Sequence, residues 1–63
     1  MNGQKLRDLR KASGMTLRQI SIKSDVTEAQ IIQIETGKTK NPRIDTLQNL
    51  ARALNCTLYD FLD

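Results

Sequence analysis

Apolar residues recur along the chain at spacings of three and four, and no segment of useful length alternates between apolar and polar residues. This periodicity indicates amphipathic helices rather than strands. The clearest case is a predicted fourth helix from about Ile44 or Asp45 to Leu54, where Leu47, Leu50 and Ala51 continue the stripe. Because helices of about eight residues are unstable alone, they must share one core. We therefore expect an all-α fold of five short helices in a single domain over residues 1–63.

Residues that favour helix ends mark where these helices begin and stop. Thr16 and Thr27 are each followed three residues later by glutamine, which is the pattern of a capping box. They are expected to open the second and third helices. Gly14 is expected to close the first helix as a left-handed cap, and Gly37 is expected to end the third helix. Thr57 is expected to cap a fifth helix that carries apolar residues.

The second and third predicted helices are joined by only three residues, Ser24-Asp25-Val26. So short a link forces the two helices to cross at a large angle. Val26 is apolar inside a polar turn and is expected to fill the space between them, while Ser21 is small enough for close helix approach. Residues 16–36 therefore meet the mechanical requirements of a helix-turn-helix.

A set of residues at fixed spacings extends this pattern from about residue 4 to residue 62. Its members are Gly14-Met15-Thr16, Ile20-Ser21, Val26-Thr27, Ile31, Ile34-Glu35, Gly37, Pro42, Thr46-Leu47 and Leu50-Ala51-Arg52-Ala53-Leu54. The set resembles the phage-repressor helix-turn-helix family, also described as Cro and repressor-like or XRE-like. The resemblance implies a five-helix domain that binds operator DNA as a dimer, with its third helix in the major groove. It also implies a structural salt bridge between Arg10 and Glu35.

The third helix, from about Thr27 to Thr36, is the predicted reading helix. With Ile31 directed inward, steps of 100° per residue identify an outward face and one flank. We expect base contacts from both, with Ala29, Gln33 and Thr36 outward and Glu28 and Ile32 on the flank.

These side chains differ in what they offer a base edge. Gln33 is the best reader, because its amide can pair with adenine N6 and N7. Ala29 can meet a thymine methyl, and Glu28 can accept from cytosine N4. Each also has an interpretation without DNA. Gln33 is then an exposed, helix-favouring residue, Ala29 reflects plain helix propensity, and the Glu28 carboxylate complements the helix N-terminus. Ile32 can meet thymine methyls, pack at the rim of the core or contact a partner protein.

Phosphate contacts are predicted where helices start and where basic residues cluster. The candidates are Thr16, Thr27, Arg18, Lys38, Lys40 and Arg43. The threonines stand beside free backbone N–H groups, which bind anions. Lys38, Lys40 and Arg43 form an acid-free cluster directly after the reading helix, and Arg43 can alternatively enter the minor groove. A solvated loop or helix face is the other interpretation of these residues.

Three positions depart from the family pattern, and the first is Leu17, which stands where the family usually has a glutamine that contacts the DNA backbone. Asp25 stands where glycine is common, and Arg43 stands where a serine often caps the fourth helix, so Asp45 is expected to cap it instead. The reading helix also contains two glutamates and no lysine or arginine. Grip on DNA must therefore come from residues beside it.

Composition narrows the remaining possibilities. Ten Lys and Arg residues against seven Asp and Glu give a net charge of +3, which allows a polyanionic partner without requiring one. The chain has no histidine, no glycine-rich phosphate loop and no metal-ligand cluster, so we expect neither an enzyme nor a cofactor or metal. A single cysteine, no long apolar run and no signal-peptide pattern indicate a cytoplasmic protein without a membrane segment. No small-molecule pocket is evident.

The sequence therefore predicts a repressor-like transcriptional regulator that binds double-stranded DNA and forms a homodimer on it. The alternative is a helical protein-interaction module, for example an antitoxin-like or regulator-partner domain. Ile32, Tyr59 and Phe61 would then be its contacts.

Overall fold

A computed structural model describes residues 1–62 as an all-helical fold, without strands in this range. Its elements are α1 Gly3–Ala12, α2 Leu17–Ser24, α3 Glu28–Glu35, α4 Ile44–Ala53 and a 3-10 helix, Leu58–Phe61. The predicted helical class is confirmed, but the fifth element is a single tight turn rather than an α-helix. At its start the N–H of Asp60 donates to the carbonyl of Thr57, three residues back, over 3.1 Å.

Both predicted capping boxes are present. The Thr16 hydroxyl accepts the N–H of Gln19 at 3.1 Å, and the Gln19 side-chain oxygen accepts the N–H of Thr16 at 2.9 Å. Thr27 and Gln30 repeat the exchange at 3.2 and 3.4 Å. Each box satisfies backbone donors that a helix start leaves without partners, which fixes where α2 and α3 begin.

The turn between α2 and α3 is compact and internally bonded. Asp25 has φ of 60°, a left-handed conformation that Asp tolerates better than most residues. Val26 is buried, as its apolar side chain predicts. The Ser24 hydroxyl donates to the carbonyl of Ile20 at 2.6 Å and accepts the N–H of Val26 at 3.3 Å. The turn therefore buries its polar groups with partners.

The start of α4 differs from the prediction. Arg43 occupies the N-cap with an extended backbone, and no side chain bonds to the cap. Asp45 was expected to cap this helix, and that expectation is wrong. Because α4 begins at Ile44, Asp45 already lies within the first turn, where its charge complements the helix dipole instead.

One hydrophobic core draws residues from all five helical elements. Its fully buried side chains are Leu6, Ile20, Ile31, Leu50 and Phe61. Phe61 was a candidate contact residue of the protein-interaction alternative. That placement of Phe61 is wrong, because its ring is fully buried and closes the core. Tyr59, two residues earlier, is 80% exposed.

The two ends of the described chain are joined to each other. The N–H of Asn2 donates to the carbonyl of Phe61 at 2.8 Å, and the Lys5 ammonium group donates to the carbonyl of Leu62 at 2.7 Å. The Asn2 side chain also accepts the N–H of Gln4 at 3.0 Å and so caps α1. These bonds hold α1 against the 3-10 helix.

Gly3 lies where α1 comes close to the C-terminal end of α3. A Cβ atom at this position would overlap the backbone carbonyl oxygens of Ile34 and Glu35. Backbone atoms cannot move aside as a flexible side chain can. Only glycine therefore lets α1 lie this close to the C-terminal end of α3.

We predict that Gly3→Ala destabilises the protein by about 1–3 kcal/mol, which is typical of overpacking. Alanine has the higher helix propensity, so propensity alone predicts the opposite sign. Urea unfolding followed by circular dichroism measures the change, with exposed Lys11→Ala on the same helix as the control. A Gly3→Ala protein as stable as the parent would show that α1 and α3 are not in this contact.

Candidate nucleic-acid interface

The exposed face of α3 carries all five side chains predicted to contact bases. Glu28, Ala29, Ile32, Gln33 and Thr36 are exposed. The intervening isoleucines at positions 31 and 34 are buried in the core. The helix therefore turns its apolar stripe inward and presents one continuous mixed face to solvent.

The polar groups on this face differ in how free they are. Within residues 1–62 Glu28 forms no ion pair, so its carboxylate is open to solvent. The Thr36 hydroxyl donates to the carbonyl of Ile32 at 2.8 Å, which uses its hydrogen inside the helix. The Gln33 amide oxygen lies 3.5 Å from the Thr39 hydroxyl. Glu28 and Gln33 are thus the polar side chains best able to face a ligand.

The starts of α2 and α3 combine backbone and hydroxyl donors. Thr16 and Thr27 are exposed and use their hydroxyl oxygens as cap acceptors. A hydroxyl that accepts still carries a hydrogen to donate. Arg18 is exposed in the first turn of α2. Each helix start therefore offers donors suited to an anion.

The basic segment of residues 37–43 is attached to the end of α3. The N–H of Thr39 donates to the carbonyl of Gln33 at 3.1 Å, and the N–H of Gly37 donates to that of Ile34 at 3.2 Å. Lys38, Lys40 and Arg43 are exposed along this segment. The predicted cationic cluster therefore stands directly beside the predicted reading face.

Arg10 and Glu35 form a two-pronged ion pair between α1 and α3. Arg10 Nε lies 2.8 Å from Glu35 Oε2, and Nη2 lies 3.1 Å from Oε1. The two side chains are only 13% and 6% exposed. The hydrogen bond to Glu35 raises the pKa of Arg10, against an opposing effect of burial. A third guanidinium N–H reaches the carbonyl of Met15 at 3.4 Å, which ties in the link to α2.

The ion pair changes the net charge of α3. Of its two glutamates, Glu35 is neutralised by Arg10, and Glu28 keeps its charge. The exposed face of α3 therefore carries one negative charge and no cation, and Lys38, Lys40 and Arg43 lie on the segment that follows.

Two structural roles near this face lie outside the sequence predictions. Gly3 permits the contact with the end of α3, and Thr39 joins the basic segment to Gln33. Neither gives a local signal, because each depends on residues that are brought together only by folding.

A helix-turn-helix family model matches residues 6–61. The chain belongs to the helix-turn-helix family. This membership confirms the predicted family, which is a DNA-binding and non-enzymatic class, and agrees with the two short helices joined by a tight turn at residues 17–35.

Three relatives of this helix-turn-helix protein are named as transcriptional regulators. The uncharacterized regulator RghRB of Bacillus subtilis is 40% identical over 52 residues, which cover 82% of this chain and 37% of that protein. DdrOP3 of Deinococcus deserti is 33% identical over 60 residues, 95% of this chain and 46% of that one. SinR of Bacillus subtilis is 29% identical over 63 residues, 100% and 57% respectively. The chain thus spans roughly half the length of these relatives.

Residues 1–62 of this helix-turn-helix protein offer little for metal binding, membrane crossing or thiol chemistry. Within residues 1–62, no group of three or more potential ligands could hold a metal ion, and no helix is both long and apolar enough to cross a membrane. Cys56 is half-buried against the core. Burial raises the pKa of its thiol, and the Asp60 carboxylate raises it further. A thiol held in this protonated form is a poor nucleophile.

We predict that Arg10→Ala destabilises the protein by about 3 kcal/mol, because it leaves the Glu35 carboxylate buried without its partner. Replacing both residues with methionine should recover most of that loss. Thermal and urea unfolding measure both effects, and Arg7→Ala, an exposed arginine on the same helix, is the matched control. A loss below about 1 kcal/mol for Arg10→Ala would mean that the pair behaves as an exposed one.

Proposed function

We propose that this protein is a sequence-specific double-stranded DNA-binding regulator that acts as a homodimer on a two-fold-related operator. In the proposed complex α3 lies in the major groove. The exposed face of α3 is the observation that carries this proposal, because it displays Glu28, Ala29, Gln33, Ile32 and Thr36 on a helix capped at its start and packed on its opposite side.

Base reading is assigned to the exposed face of α3. Gln33 pairs with adenine, Ala29 and Ile32 meet thymine methyls, and Glu28 accepts from cytosine. Thr36 stands at the C-cap with its hydroxyl hydrogen already used, so its methyl group makes the contact. Reading therefore rests on amide, carboxylate and apolar contacts rather than on arginine.

Phosphate binding is assigned to groups around α3. Phosphates are contacted by the donors at Thr16 and Thr27 and by four exposed cations, Arg18, Lys38, Lys40 and Arg43. Phosphate contacts fix the position of a protein on the duplex without reading sequence. Each one adds about −0.9 to the log–log slope of affinity against salt.

A dimer follows from the size of the domain. One unit of this size makes too few contacts for tight specific binding, and two-fold dimers read half-sites about one helical turn apart. Tyr59 and Leu62 are 80% and 40% exposed and lie three residues apart around a 3-10 turn, which places them on one side of it. They supply apolar surface for a contact between subunits.

A protein-interaction module is the second candidate, and the exposed apolar side chains favour it. Ile22 and Tyr59 are 72% and 80% exposed, and Ile32 is 44% exposed. Such a module would have no affinity for duplex DNA even at low salt. Regulation of transcription in the cytoplasm remains a prediction under the first candidate.

Selection of bound sequences from random duplex DNA tests the proposal most directly. We expect a two-fold-related site, with a protein-to-DNA ratio of two at saturation. Enrichment no better than random DNA at low salt would exclude operator reading and leave the interaction module.

We predict that Gln33→Ala relaxes the preference at one base position in each half-site. The lost discrimination should amount to about 1–3 kcal/mol, the typical value of a bidentate base contact. Binding to every single-base variant of the selected site measures it. Equal weakening of all variants would assign Gln33 to the backbone instead.

We predict that Lys40→Ala weakens binding to all sequences alike and lowers the salt slope by about one. Fluorescence anisotropy across a salt series measures the slope. Arg52→Ala is the control, because Arg52 lies in the last turn of α4, about 13 Å along the helix from the basic segment. A slope unchanged by Lys40→Ala would remove this residue from the phosphate contacts.

A further inference from the structure

We propose that Thr39 is a positioning residue for the base-reading side chain of Gln33. The inference rests on the proposed function and adds a residue that touches no base. It follows from two contacts between the same pair of residues, one through the main chain and one through the side chains.

The main-chain contact fixes where Thr39 stands. Its N–H donates to the carbonyl of Gln33 at 3.1 Å, six residues back. That carbonyl lies in the last turn of α3, where carbonyl groups lack partners within the helix. The bond therefore satisfies a free acceptor and holds the backbone of Thr39 beside the reading residue.

The side-chain contact acts on the amide itself. The Thr39 hydroxyl lies 3.5 Å from Gln33 Oε1, so a small side-chain rotation brings the two to bonding distance. Thr39 is half-buried, whereas Gln33 is exposed. A hydroxyl both donates and accepts, so it restrains the amide in either of its two orientations. Thr39 thus limits where the Gln33 side chain reaches.

The restraint affects base discrimination because it lowers the conformational entropy that the Gln33 side chain loses on binding. A free glutamine samples many rotamers and loses that freedom when it pairs with a base. A side chain already held near its bound position loses less on binding, so the correct base gains affinity over the wrong one. Because Thr39 stands between Lys38 and Lys40, the segment assigned to phosphate grip also directs the reader.

Thr39→Val tests the proposal, because valine keeps the shape and the backbone N–H while removing the hydroxyl. We expect preference for the base read by Gln33 to fall about threefold to tenfold, the effect of one immobilised side chain. Affinity for unrelated duplex DNA should stay unchanged. Thr39→Ser, which keeps the hydroxyl, should read the base as the parent does.

The Gln33→Ala background separates positioning from direct contact. There, Thr39→Val should change nothing further, because the side chain it directs is gone. Equal weakening on all sequences that persists in this background would make Thr39 a phosphate contact and overturn the proposal. Unchanged base preference in Thr39→Val would overturn it as well.

A measurement without DNA keeps this inference distinct from the proposed function. The NMR order parameter of the Gln33 side-chain NH2 group should fall in Thr39→Val and be retained in Thr39→Ser. If no operator is selected, the proposed function fails, yet this measurement still decides whether Thr39 restrains Gln33. An order parameter equal in the parent and Thr39→Val overturns the restraint.

Discussion

The ion pair between Arg10 and Glu35 fixes the position of α3, on which the rest of the site depends. It joins α1 to the C-terminal end of α3 through two hydrogen bonds, and a third reaches the carbonyl of Met15 before α2. One guanidinium group therefore relates three helices. The same contact removes a negative charge from the helix proposed to enter the groove, so packing and electrostatics are set by one interaction.

The two ends of α3 are held by different means. Its N-terminus is defined locally, by the capping box of Thr27. Its C-terminus is defined by tertiary contacts from three directions: the Arg10 side chain, the backbone at Gly3 and the N–H of Thr39. A helix of only eight residues has little stability of its own, so these contacts hold it in place while its outer face stays free.

The sequence predicted the features that depend on a few neighbouring residues. The boxes at Thr16 and Thr27, the buried Val26 and the exposed face of α3 all follow from spacing along one helix or turn. The contact at Gly3 could not be predicted, because it joins residues distant in sequence. The contact between Thr39 and Gln33 could not be predicted either, because it depends on the path of the loop after α3 rather than on a helical spacing. Phe61 was a candidate surface contact, because the periodicity of a four-residue turn does not say which of its side chains meet the core.

The charge distribution separates the proposed base-reading face from the proposed phosphate contacts. Cations lie at the start of α2 and after α3, while the exposed face of α3 carries only the negative charge of Glu28. In the proposed complex, attraction to phosphates therefore arises away from the bases and is the same for every sequence. A mismatched sequence gains no electrostatic compensation at the reading face, and the Glu28 carboxylate disfavours close approach there unless a cytosine N4 group donates a hydrogen bond to it. In the proposed complex, specificity arises both from the side chains that α3 exposes and from the absence of cations on that exposed face.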